Sequence, residues 1–129
     1  MTLLEEIRLP NRLVAEIWDG SRMIAADTAT VILVVKIPVD LKQEYFEDAA
    51  AWRKTARVFG SPLVYEYRNE RTFVTAGERE ALFSEFLANF KKDVLPYVSK
   101  EHFPKRFVLS KYQEMIKDPW KYPDRGCNG

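Results

Sequence analysis

The sequence predicts an α+β fold: an antiparallel sheet, made of a meander over 13–37 and a hairpin over 63–75, packed by two long amphipathic helices at about 41–59 and 76–95 and a short C-terminal helix. Three observations carry this. Strand-forming runs separated by turn residues fill 13–37, and apolar residues then recur every three or four positions in two separate stretches. The length of 129 residues, with 47% hydrophobic and 30% charged side chains, suits one domain that buries a core without disulfides.

The meander begins with Leu13–Trp18, followed by Asp19-Gly20, a dipeptide that tolerates the positive φ of a tight hairpin turn. Arg22–Ala26 is then the return strand, Asp27 and Thr28 a second reversal, and Ala29–Ile37 a third strand closed off by Pro38. Val31–Val35 lacks polar alternation, which predicts a central strand covered on both faces.

Leu41, Tyr45, Ala49, Trp52, Ala56 and Phe59 then mark one helix face, with Asp40 as N-cap, Gln43 completing a capping box and Gly60 as the C-terminal stop. Leu63–Tyr67 and Thr72–Thr75 flank Arg68–Arg71 as a hairpin. Thr75 and Glu78 cap a second helix with the stripe Leu82, Phe83, Phe86, Leu87, Phe90 and Val94, disturbed at Pro96. Lys105–Leu109 reads as extended, and Ser110 with Gln113 caps a short helix over Lys111–Lys117. This gives a single domain over 1–117 and an irregular arm over 118–129, packed on it through Trp120 and Tyr122.

Charge and composition exclude several function classes. A formal net charge of +1 is far from the basic excess of a nucleic-acid binder, although the stretch from Ser99 onward is net positive. One cysteine (Cys127) and one histidine (His102) exclude a disulfide framework, a CxxC redox centre and a Cys/His zinc site within one chain. No Walker loop, GxGxxG, GxSxG or HExxH occurs, so no catalytic residue, metal site or cofactor is assigned. His102, in a polar connector, and Cys127 read as a surface imidazole and an incidental thiol. With no basic leader and no long apolar run, a cytoplasmic protein without a membrane segment is expected.

The candidate ligand-binding residues are Arg8, Arg12, Glu16, Asp19 and Asp27. The three acids belong to the meander, whose turns can gather carboxylates for acid/base work or a divalent ion; Asp19 beside Gly20 and Ser21 equally serves the turn's own backbone. Arg8-Leu-Pro-Asn-Arg12 followed by Asp19-Gly20-Ser21 resembles the bacterial PilZ pattern, RxxxR and a later D/NxSxxG. Ile24 stands in place of the final glycine, and six residues separate Arg12 from Asp19. That resemblance implies that Arg8 and Arg12 clamp the phosphates of a cyclic dinucleotide. Residues 9–39, with Leu-Pro-Asn-Arg-Leu, Glu-Ile-Trp-Asp-x-Ser-Arg and the apolar strand ending Lys-Ile-Pro-Val, also resemble a family of small bacterial proteins of unassigned function, which implies a bacterial setting.

Lys105, Arg106, Lys111, Lys117, Lys121 and Arg125 interleave with Phe107, Tyr112, Trp120 and Tyr122, the pattern of cations for phosphates and rings for bases; the same rings also fit a docking face. The reading that results is a non-enzymatic binding or protein-interaction module. Its rivals are a small enzyme using the sheet carboxylates, with or without a metal, and a weak nucleic-acid or cyclic-dinucleotide binder. A homodimer is expected as well, because a strand apolar on both sides requires cover above and below.

Overall fold

A computed structural model describes residues 1–121. An antiparallel five-stranded sheet and helices make it an α+β fold, as expected. The strands are β1 (Thr2–Arg8), β2 (Val14–Asp19), β3 (Arg22–Ala25), β4 (Thr28–Val39) and β5 (Leu63–Thr75), and the helices are α1 (Ala49–Phe59), α2 (Arg79–Asn89), α3 (Leu95–Val98) and α4 (Phe103–Lys117). The chain divides into two compact units. One holds Met1–Ile37 with Glu66–Lys100, the other Pro38–Tyr65 with the described residues from Glu101 onward.

In the first unit, β4 pairs with β2, β3 and β5. Asp19 lies opposite Leu33 and Glu16 opposite Lys36, while Arg22 lies opposite Thr30 and Met23 opposite Ala29. β2 and β3 therefore run in the same sense along successive halves of β4, as one interrupted strand, and Asp19-Gly20 is no hairpin turn. The interruption is bridged locally: Gly20 N donates to Ile32 O at 3.0 Å, Ile32 N to Ser21 Oγ at 2.9 Å and Ser21 N to Asp19 Oδ1 at 2.8 Å. A Cβ on Gly20 would stand 3.3 Å from Ile32 Cγ2, so close approach to β4, not a turn, is what glycine serves here. The true hairpin joins β3 to β4 at Ala26-Asp27. The outer partner of β2 is β1, which the sequence reading left unassigned.

β4 runs through Pro38 to Val39 instead of ending before it. Residues pointing to opposite faces, Leu33 and Val35 on one and Ile32 and Val34 on the other, are all at most 5% exposed. The chain itself covers β4, so a second copy is not needed for that purpose. Leu82, Phe86 and Phe90 are buried, and the latter two rings meet the Arg71 guanidinium and the Tyr67 ring of β5, while Lys91 pairs with Glu5 of β1 at 3.4 Å. The helical stretch thus lies across the sheet from β5 to β1. The predicted helix over 76–95 is divided between a 3-10 turn at Ala76–Glu78, α2, a π-turn at Phe90–Val94 and α3. Pro96 has no N–H and its ring crowds the carbonyl four residues back, and widening the turn before it, with Leu95 N donating to Phe90 O, relieves that conflict.

β5 is one strand of 13 residues, and no hairpin occurs at Arg68–Arg71. Tyr65, Tyr67 and Asn69 are half-buried, whereas Glu66, Arg68 and Glu70 are exposed: a strand with one covered face.

In the second unit, α1 begins at Ala49, later than the predicted Leu41. Its N-cap is Asp48, whose Oδ1 accepts from Ala51 N at 2.7 Å, and Asp40 does not cap it. Gly60, at φ +72, ends it as expected. Its buried face centres on Thr55 and Val58, flanked by half-buried Trp52 and Phe59. α4 spans 15 residues, so Lys105–Leu109 is helical and not extended. Phe103, Pro104, Val108 and Met115 are buried; proline is accommodated in a first helical turn, where its missing N–H has no partner to lose. Trp120 is 79% exposed, contrary to the expectation that it packs on the domain; Tyr122, Arg125 and Cys127 lie outside the described residues. Among the described residues no helix is long and apolar enough to cross a membrane.

Candidate functional site

The three sheet carboxylates do not converge. Glu16 and Asp19 are three apart on one strand and point to opposite faces. Glu16 accepts from Trp18 Nε1 at 3.1 Å and sits opposite Lys36, whose ammonium lies 5.7 Å from the Trp18 ring centre. Asp19 holds Ser21 N and Asp27 occupies the β3–β4 turn, accepting from Thr28 Oγ1 at 3.3 Å and, through its carbonyl, from Ala76 N at 2.9 Å. Asp19 and Ser21 do line a pocket of about 260 Å³ with Arg79, Glu80, Phe83 and Ser84, but Asp19 Oδ1 and Ser21 Oγ both accept backbone N–H groups at the β2–β3 break.

Arg8 ends β1 and Arg12 lies in the β1–β2 turn at φ +73, both exposed. The residue between them that the structure employs is Asn11, which the sequence reading did not single out. Its Nδ2 donates to Val98 O at 2.8 Å and Lys100 O at 2.9 Å, and its Oδ1 accepts from Leu13 N at 3.2 Å. The Leu-Pro-Asn-Arg-Leu motif is therefore a clasp on the carbonyl end of α3, with Leu9 buried beneath it.

The rings of α4 are committed to packing, whereas Lys105, Arg106 and Lys117 are exposed. Phe103 and Phe107 stack at 5.9 Å and both meet the Tyr65 ring edge to face, while Lys111 lies over Phe107 and pairs with Glu114 at 3.5 Å. Tyr112 packs edge to face on Phe46, with centroids 5.6 Å apart.

That last contact floors a groove of about 370 Å³ in the second unit. Glu44, Tyr45, Phe46, Glu47 and Asp48 enter it from the segment before α1, and Lys105, Leu109, Tyr112 and Gln113 from α4. A 3-10 turn at Gln43–Tyr45 and the Asp48 cap set the backbone, and along this short stretch two adjacent rings, Tyr45 and Phe46, are flanked by Glu44 on one side and Glu47 and Asp48 on the other. Burial, followed by the charges of Glu44 and Asp40, raises the Tyr45 phenol above its usual range, so it stays a neutral hydroxyl at physiological pH. The groove offers π-faces, carboxylates on its rim and a neutral hydroxyl, against one ammonium from Lys105. Such a lining suits a cation. Helical spacing places Tyr45 on a helix face and so does not reveal the groove; the signal in the sequence is the acidic run Asp40, Glu44, Glu47, Asp48 around two rings.

Among the described residues no group of three His, Cys, Asp or Glu side chains is placed to hold a metal ion. Comparison of the chain with protein-family models, curated proteins and solved structures finds no match.

Proposed function

We propose that the chain is a non-enzymatic binding module, acting in a bacterial cytoplasm, whose groove takes a lysine or arginine side chain of a protein partner. The observation that carries this is a groove lined by exposed Glu44 and Glu47 together with the half-buried Tyr45, Phe46 and Tyr112 rings. A cation there gains from ring quadrupoles and carboxylates together, the combination the chain itself uses where Lys36 lies over Trp18 beside Glu16. The carboxylate field that disfavours a Tyr45 phenolate favours an incoming cation for the same reason. An enzymatic reading finds less support, since the sheet acids are dispersed. A cyclic dinucleotide or nucleic acid would bring phosphates, which the acidic rim repels. Self-association is proposed as well, through residues other than those that line the groove.

Calorimetric titration with short Arg-rich, Lys-rich and Glu-rich peptides tests the reading. The basic peptides are expected to bind, more weakly at high salt, and the acidic one not at all. Glu44→Gln with Glu47→Gln should weaken binding by roughly tenfold or more, the loss of charge-assisted contacts. Basic peptides that fail to bind at millimolar concentration, or that bind the double variant equally well, overturn it.

A further inference from the structure

The second surface is the outer edge of β5. Among the described residues β5 has one strand neighbour, β4, so the other side of a 13-residue strand presents unpaired backbone groups. Proteins ordinarily blunt such an edge with charge, and β5 does carry exposed Glu66, Arg68, Glu70 and Arg71. Their order is what matters. Read outward from Asn69, the midpoint of the strand, the sequence is self-complementary over 66–72: Arg68 mirrors Glu70, Tyr67 mirrors Arg71 and Glu66 mirrors Thr72; at Phe73 the alternation of covered and exposed faces breaks, and Val74 is buried where Val64 is exposed.

We propose that β5 pairs with β5 of a second copy of this chain, antiparallel about a two-fold axis at Asn69, joining two sheets into one. A two-fold axis places residue i opposite j and j opposite i, so the mirror relation in the sequence becomes contact in space. Arg68 and Glu70 lie on one exposed face and pair within the strand at 3.2 Å. Across the axis each meets the opposite charge of the other copy, closing a ring of four alternating charges. Tyr67 opposite Arg71 sets a ring against a guanidinium, and such cross-strand pairs stabilise an antiparallel ladder. Shifting the axis to Arg68, Glu70 or Arg71 would set like charges face to face, so charge disfavours those registers. Phe73 adds apolar surface for a partner to cover: it is 82% exposed, with a backbone φ of +58 that a bulky side chain rarely adopts. The edge is independent of the groove, so either reading can fail without the other.

Sedimentation equilibrium from micromolar to several hundred micromolar is expected to show a mass rising toward twice 15.1 kDa. Glu70→Arg creates two Arg–Arg oppositions and should weaken the dimer at least about tenfold, as should Arg68→Glu. The reversal of both, R68E with E70R, restores opposite charges and should restore the dimer. Mixing the two single variants should give a heterodimer that neither forms with itself. Circular dichroism monitors folding, which loss of an exposed Arg68–Glu70 pair leaves nearly unchanged. A wild-type mass of 15.1 kDa at all concentrations, a dimer indifferent to the single changes, or single variants that fail to combine on mixing overturns the proposal.

Discussion

Asn11 spends its whole amide on the backbone, two donors on the last carbonyls around α3 and one acceptor on Leu13 N. Replacing it by alanine is expected to cost about 1–3 kcal/mol, the desolvation of partly buried groups left without partners. Asn11→Asp should cost more, because a carboxylate then faces two carbonyl oxygens. Urea denaturation checks both, and an aspartate variant as stable as the parent would remove the clasp from the account. Tyr45 gives a pH prediction. Its folded pKa is raised, so the unfolded phenol ionises first as pH climbs past about 10. The folded state then binds more protons than the unfolded one, and the stability contributed by the neutral phenol, complete below pH 10, is lost as pH rises through the folded pKa. Thermal melts at pH 9 and pH 11 are expected to fall less for Tyr45→Phe than for the parent.

At the scale of elements, legibility followed the reach of the signal. The α1 stop at Gly60, the aromatic stripe of α2 and the doubly covered β4 rest on local chemistry or one long run, and each is where the sequence puts it. Failures came where one dipeptide had two physical uses. Asp19-Gly20 suits a hairpin, but also a strand break in which aspartate holds Ser21 N and glycine lets β4 approach; only pairing with distant Leu33 and Thr30 decides. Arg68–Arg71 looks like a turn because it is polar, yet on an edge strand polarity is what solvent demands. In α4 the run Lys-Arg-Phe-Val-Leu has strand propensity, and burial of Phe103, Val108 and Met115 on one helical face overrides it. The groove was hidden for a related reason: it joins two segments more than fifty positions apart, which no local period reveals. The β2–β3 break is testable. Ser21→Ala removes the acceptor of Ile32 N, a group inside the most buried strand, and should cost about 1–3 kcal/mol, whereas Ser21→Thr keeps the oxygen and most of the stability. Trp52→Phe isolates the bond from Trp52 Nε1 to Leu41 O at 3.1 Å and should cost about 1 kcal/mol.

For the whole molecule, a formal charge of +1 gives little net attraction for polyanions, and the distribution of rings decides what short-range recognition remains. Binding of single strands needs aromatic faces open to bases along a basic track. Here Phe103, Phe107 and Tyr112 are engaged with one another, with Tyr65 or with Phe46, and Lys111 is held by a ring and a carboxylate. Trp120 alone among the described rings of this stretch is largely exposed, and one ring gives about 1–3 kcal/mol of stacking, well short of micromolar affinity. The same chain presents two carboxylates together with three rings, so its preference should run toward cations. A single-stranded oligonucleotide and an Arg-rich peptide, titrated in parallel at 0.05 M and about 0.15 M salt, measure that preference directly. The peptide is expected to bind and the oligonucleotide not to reach micromolar affinity at the higher salt. Oligonucleotide binding that is micromolar and weakens steeply between the two salts would mean that several lysines and arginines release counterions together, and would transfer the functional reading from the groove to the basic surface of α4.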